Sequence, residues 1–167
     1  MSTVSLRAAE AHDAEAIADI YNYEVENTSA TFDLVPRTIE AQREWIAART
    51  GAFAAIVAED SAAGVIGFAA LSTYRDRAGY RTTVENSVYV HRDHQRRGVG
   101  RLLLTALLDV ARSSGFHTVI ARIDSQSVGS IALHKSLGFV EVGVERQIGR
   151  KFGRWLDSII MQRFLSD

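Results

Sequence analysis

Gln95-Arg96-Arg97-Gly98-Val99-Gly100 lies between the apolar run Val88-Tyr89-Val90 and a leucine-rich run from Val99 to Ala111. A strand, a basic glycine turn and a helix in that order leave free backbone N–H groups at a helix start, where the macrodipole also favours an anion. The segment reads as a diphosphate cradle. Glycine at 98 and 100 lets the main chain approach a ligand without a Cβ in the way, and Arg96, Arg97 and Arg101 surround it with charge. An ordinary strand-to-helix turn with solvated arginines is the plainer alternative. A Walker loop is excluded, because Gly100 is followed by Arg101-Leu102 where Lys-Ser/Thr is required. A dinucleotide fingerprint fits poorly: position 103 is Leu, and the glycines stand too far from the strand end at Val90, although Asp124 ends a later apolar run and could mimic the ribose-binding acid.

Outward from the hexamer, 167 residues suit a single domain spanning 1–167, large enough to bury about 70% of its unfolded surface without staples. Apolar residues are 47% and charged residues 23%, with one proline, a globular rather than disordered composition. The net charge of −1 provides no global field for nucleic acid or an anionic membrane, so the basic cluster from Arg92 to Arg101 suits one small polyanion. No apolar run approaches the ~20 residues that span a bilayer, and no leader pattern opens the chain, so a cytoplasmic protein is expected. Cysteine is absent, which removes thiolate catalysis, a cysteine acyl-enzyme and thiolate metal sites.

Val4 to Ala8 reads as a strand, and Asp13 can cap a helix with Ile17, Ile20, Tyr21 and Val25 at helical spacing. A polar and aromatic connection, Asn27 to Arg37, leads to a second helix from about Thr38. Phe53 to Glu59, Gly64 to Thr73 and Glu85 to Val90 read as an antiparallel meander. A helix over 99–113, with Val99, Leu103, Ala106, Leu107 and Val110 on one face, ends before Gly115 as C-cap. A strand from Thr118 to Ile123, a helix near Ser127 to Leu137, and strands at 139–147 and 155–163 complete the order. The expected architecture is α/β (α+β): a mixed central sheet with helices on both faces.

The cradle after its strand, together with Ser130-Ile131-Ala132-Leu133-His134-Lys135-Ser136-Leu137-Gly138-Phe139, resembles the GNAT family of acetyl-CoA-dependent N-acetyltransferases. Thr83-Val84-Glu85-Asn86-Ser87-Val88-Tyr89-Val90-His91 and the Leu-His-x-x-Leu-Gly-Phe form are similar to its phosphinothricin and methionine sulfone/sulfoximine acetyltransferase branch. So are Tyr21-Asn22, Thr31-Phe32 and Gly149-x-x-x-Phe152-Gly153-x-Trp155-x-Asp157. The resemblance implies a GNAT fold, acetyl-CoA as co-substrate without a metal, a homodimer, and a small amino-acid-like acceptor. It implies that Val88, Tyr89 and Val90 offer backbone groups to the pantetheine arm, that Gln95, Arg96, Arg97, Gly98, Val99, Gly100 and Arg101 bind the diphosphate, and that Ser130 lies in the cofactor-facing motif. Ser127 departs from the pattern: the family commonly has Asn there, and a hydroxyl cannot supply the two-sided amide contact.

An amine must be neutral to attack a thioester, yet an α-amino group is mostly protonated at pH 7. Glu85 could take the proton directly or through water, or could be a solvated charge at a strand start. His134 stands where much of the family carries a tyrosine near the departing sulfur; it could protonate the thiolate, or pack beside Phe139 and hold a structural bond. Arg75 or Arg77, in Tyr74-Arg75-Asp76-Arg77, is the expected holder of an acceptor carboxylate, against a plain solvated loop. Phe32 could cap the side-chain end of the pocket or plug the core. His91 and His94 have no convincing third ligand, so no metal site is expected. The alternatives in function are acetylation of another amine (polyamine, aminoglycoside, protein N-terminus) and a non-catalytic acyl-CoA-binding domain.

Overall fold

The alternating apolar segments do form one sheet. In the computed structural model, which describes residues 3–165, the strands are β1 (Val4–Ala8), β2 (Ile56–Asp60), β3 (Gly64–Thr73), β4 (Thr83–Val90), β5 (Thr118–Asp124), β6 (Val140–Lys151) and β7 (Arg154–Phe164). Their order is β1-β2-β3-β4-β5-β7-β6. The helices are α1 (Ala14–Asn27), α2 (Ile39–Ala47), α3 (Val99–Ser113) and α4 (Val128–Ser136). No helix among the described residues is long and apolar enough to cross a membrane.

β4 divides the core by side-chain parity, since successive residues point to opposite faces. Val84, Val88 and Val90 pack with Leu103, Leu104 and Leu107 of α3 and with Ile131 and Leu133 of α4. Tyr89 joins Phe68 and the apolar stripe Ile17, Ile20, Tyr21 and Val25 of α1. The helices therefore lie on both faces, α3 and α4 on one and α1 and α2 on the other, as the sequence suggests.

Local differences have physical causes. The second strand begins at Ile56 rather than Phe53, because Gly51–Phe53 turns as a short 3-10 segment and places Phe53 against Phe116, 5.8 Å between ring centroids. Asp13 precedes α1 without capping it through its side chain. Its carboxylate instead accepts both arms of the Arg7 guanidinium at 2.8 Å and the Glu10 N–H. The buried face of α3 is Val99, Leu103, Leu104, Leu107, Leu108 and Ala111, with Ala106 and Val110 at its margin. The last hairpin is longer than the apolar pattern indicates: Phe152 and Gly153 make its two-residue turn at φ +51° and +73°, and the register shifts between Glu145 and Gly149.

One pairing sets up the site. β4 and β5 run parallel, but their ladder covers only Thr83↔Thr118, Val84↔Val119 and Glu85↔Ile120. Beyond Glu85 the strands part, β4 staying with β3 through Val90 and β5 staying with β7 through Asp124.

Candidate active site

The parting leaves the β5-facing backbone groups of Asn86 to Val90 without a β5 ladder partner, and such groups need a hydrogen-bonding occupant. A cavity of about 980 Å³ opens there. Val88, Tyr89 and Val90 line it from β4, Gln95, Arg96, Gly98, Gly100 and Arg101 from the turn into α3, Ser127 from the position just ahead of α4 and Ser130 from α4 itself.

The cradle is built by backbone geometry. Arg96 (φ +58°) and Gly98 (φ +82°) both adopt the left-handed conformation, and α3 starts without a side-chain cap on its free N–H groups. A Cβ at Gly98 would meet nothing within 4 Å, so the approach is open. These features fit the diphosphate of acetyl-CoA. Arg101 is held by Ser136 at 3.0 Å, and the Gln95 amide donates to the Val90 carbonyl at 3.3 Å. Two side chains of the hexamer point away from the cavity. The Val99 side chain is buried in the core, and Arg97 turns away to the His94 ring at 3.0 Å; neither lines the cavity. Gly100 also has another reason to be glycine, because its Cβ would meet Leu133 at 3.2 Å and Val90 at 3.7 Å, so its smallness lets α3 approach α4. Among the described residues no three His, Asp or Glu side chains gather in a way that could hold a metal ion, and His91 faces Asp19 at 3.4 Å.

Glu85 lines the cavity where the two strands separate. Burial pushes its carboxyl above the usual range; Arg122, 3.7 Å away, opposes that rise and Glu145 reinforces it. Arg122 also reaches Glu145 at 3.3 Å, forming a carboxylate–guanidinium–carboxylate bridge across β4, β5 and β6. His134 is buried: its Nδ1 lies 2.8 Å from the Ser130 carbonyl oxygen and its Nε2 lies 2.9 Å from Asn86 Nδ2, with the Phe139 ring edge-on at 4.9 Å. Burial lowers its pKa, against a rise from the Ser130 carbonyl.

Phe32, Thr28, Ala30 and Thr31, from the α1–α2 connection, form the opposite wall. Phe32 lies so close to Gly149 that a Cβ there would meet the ring at 2.7 Å. The buried Lys151 ammonium donates to the carbonyls of Thr31 at 2.8 Å and Glu24 at 3.2 Å. Ser29 donates to Asp124 Oδ2. Arg75 and Arg77 are not brought to this cavity. They line a separate cleft of about 440 Å³ with Asp76 and Tyr80, where Arg75 sits over the Tyr74 ring at 4.9 Å. The guanidiniums on the large cavity's wall are Arg92, Arg96, Arg101 and Arg122.

Asn86, Arg122 and Lys151 were not readable as site residues from the sequence, and Asp124 reads there only as a mimic of a ribose-binding acid. Asn86 had a signal: it is polar at a position sharing parity with Val84, Val88 and Val90. Arg122 and Lys151 had none, since their partners come from distant strands and loops.

The acetyltransferase (GNAT) domain family matches residues 6–160. The L-amino acid N-acyltransferase MnaT of Escherichia coli is 43% identical over 98% of this chain and 95% of its own. The L-methionine sulfoximine/L-methionine sulfone acetyltransferase of Pseudomonas paraeruginosa is 41% identical over 96% of this chain and 94% of its own. A phosphinothricin acetyltransferase from Sinorhizobium meliloti, solved in complex with acetyl-CoA, superposes with a TM-score of 0.93 at 38% identity, covering 98% of this chain and 89% of that one. A cleft between parting strands, a left-handed basic turn at a helix start and near full-length similarity converge on one conclusion: this chain belongs to the GNAT acetyltransferase family.

Proposed function

We propose that this protein transfers the acetyl group of acetyl-CoA to the α-amino group of a small amino-acid-like acceptor, of the methionine sulfone, methionine sulfoximine or phosphinothricin type, directly in a ternary complex. The observation that carries the reading is that one cavity joins the anion cradle of α3 to the half-buried Glu85 carboxyl. Acetyl-CoA supplies the activated acetyl thioester. The left-handed turn at Arg96 and Gly98 and the N-terminus of α3 hold its diphosphate, and the unpaired side of β4 from Val88 to Val90 aligns its arm. Glu85 takes one proton from the acceptor ammonium, directly or through water, to free the amine; as the N–C bond forms and the C–S bond breaks, the nitrogen's second proton passes, directly or through solvent, to the departing sulfur. A carboxyl raised above its usual range is a better base near neutral pH than an ordinary glutamate.

The proposed holder of the acceptor carboxylate is Arg75 or Arg77, which lie in a separate cleft after the strand whose Ser72 pairs with Glu85, so this role requires their loop to turn toward the cavity. Arg122, already on the cavity wall, is the competing holder. The acidic side chains Glu24, Glu85, Asp124 and Glu145 on the same wall favour a cationic polyamine as the second reading. A homodimer is proposed through β6, an edge strand with Val140, Val142, Val144 and Ile148 exposed. The cytoplasm is the compartment proposed.

CoA release with methionine sulfone, methionine sulfoximine, phosphinothricin, a decarboxylated amine analogue and a polyamine tests the acceptor class. The acids are expected to react well and the decarboxylated amine poorly. Loss of that preference in Arg75→Met or Arg77→Met, by roughly 10–150-fold in kcat/KM, identifies the holder. Loss only in Arg122→Met moves the holder to the wall, and strong activity on the polyamine alone replaces the acceptor class.

A further inference from the structure

His134 has one protonation pattern that satisfies its surroundings. The Ser130 carbonyl only accepts, so His134 Nδ1, 2.8 Å away, carries the hydrogen. The ring is 3% exposed and contacts a carbonyl, an amide and the Phe139 edge; burial among neutral groups keeps it uncharged. In the neutral ring Nε2 then has a lone pair and no proton. Asn86 Nδ2, 2.9 Å away, must donate to it, which settles which end of the amide faces the histidine.

The other end of that amide is the consequence. Among the described residues Asn86 Oδ1 has no hydrogen-bond partner and is itself shielded from solvent, while the residue as a whole is 7% exposed and lines the cavity. A buried acceptor left unmade costs stability, so this oxygen fits a site where a ligand N–H completes it. Asn86 shares its strand face with Val88 and Val90, the face packed against α3 and α4, which carry the cradle. An amide N–H of a pantetheine arm is the chemistry that would complete such an acceptor on that side. The attacking amine of the acceptor offers the same chemistry from the opposite face, with Glu85.

We propose that His134 is a positioning residue: it turns the Asn86 amide so that Oδ1 receives a pantetheine N–H beside the thioester, and it is not the acid that protonates the departing sulfur. The inference rests on acetyl-CoA being the co-substrate.

Calorimetric titration of acetyl-CoA into the wild type, His134→Phe, Asn86→Leu and the double variant tests it. Each single change is expected to weaken acetyl-CoA binding by roughly 3–15-fold, and the double variant by no more than about the same, because the two residues act as one unit. Both single variants should keep the limbs of the kcat pH profile. In the wild type, ¹⁵N shifts of His134 near neutral pH should report the Nδ1–H tautomer of the neutral ring, a readout independent of any variant's folding. The proposal is overturned if His134→Phe binds acetyl-CoA normally while kcat falls more than 100-fold and a limb of its profile disappears. It is equally overturned if Asn86→Leu raises only the acceptor KM, which assigns Oδ1 to the acceptor amine. A wild type that fails to bind acetyl-CoA would remove the reaction itself; a binding wild type with unchanged affinity in both variants would remove only this inference.

Discussion

Glu85 is held between two opposing influences, and their balance sets when it can accept a proton. Burial raises its pKa and the Arg122 guanidinium at 3.7 Å restrains the rise. In Glu85→Gln, kcat should fall by roughly 10²–10⁴ while acetyl-CoA affinity stays near wild type, measured by steady-state kinetics beside a binding titration. Arg122→Met should act in the opposite sense to a lost base. Without the positive neighbour the charged carboxylate is less favoured, so the pKa climbs further and the acidic limb of kcat/KM moves to higher pH. A limb that stays in place or moves down would show that another group controls it. Arg96 gives a second residue-scale expectation. Its φ of +58° costs roughly 1–2 kcal/mol in a residue with a Cβ, and glycine relieves that strain. Arg96→Gly should therefore bind acetyl-CoA more weakly without a lower Tm, two measurements that a merely structural arginine would not separate.

At the scale of elements, the acceptor side depends on how the β6–β7 hairpin grips the α1–α2 connection. Phe32 rests against Gly149, and Lys151 ties down the Thr31 and Glu24 carbonyls. A methyl at 149 would push directly on the Phe32 ring. Gly149→Ala should raise the acceptor KM while leaving acetyl-CoA affinity unchanged; an unaltered acceptor KM would show that Phe32 plays no part in that wall. Lys151→Met keeps most of the volume and deserts two buried carbonyls, so denaturant unfolding should register a loss of about 1–3 kcal/mol. Gly100 belongs to this scale as well. Gly100→Val would force α3 away from Leu133 of α4, so lowered stability should accompany weakened acetyl-CoA binding.

Across the whole molecule, Arg7 of β1 ties Glu59 of β2 to Asp13 ahead of α1. Burial alone would raise the Asp13 pKa, but the Arg7 fork and the Glu10 N–H outweigh it and hold the carboxyl below its usual range. A depressed folded-state pKa contributes stability above the unfolded value near 4 and loses it as pH falls through the folded one. Acid unfolding should therefore steepen below about pH 4, and Asp13→Asn should flatten that part of the stability curve. Light scattering at micromolar concentration is expected to give a dimer mass, with Ile148→Glu shifting it toward monomer; a wild-type monomer would reject the β6 interface.

What was determined by the sequence alone was local. Helical spacing of Leu103 and Leu107, the continuous apolar run along Gly64 to Thr73, and glycines that stop helices each act within a few residues, so α3 and β3 match their expected bounds. The basic turn from Gln95 to Gly100 was legible for the same reason, as its conformation follows from its own φ angles and the helix behind it. Tertiary structure alone decided which side chains meet. Arg122 reaches Glu85 because β5 lies beside β4, and Lys151 reaches Thr31 because the hairpin returns over α1. Arg97, Arg75 and Arg77 fell outside the large cavity because a loop's side-chain direction depends on its packing, not on its charge. The cavity itself exists because β4 and β5 pair for three residues and then part. No local pattern encodes that separation, since it results from each strand keeping its antiparallel partner on the far side.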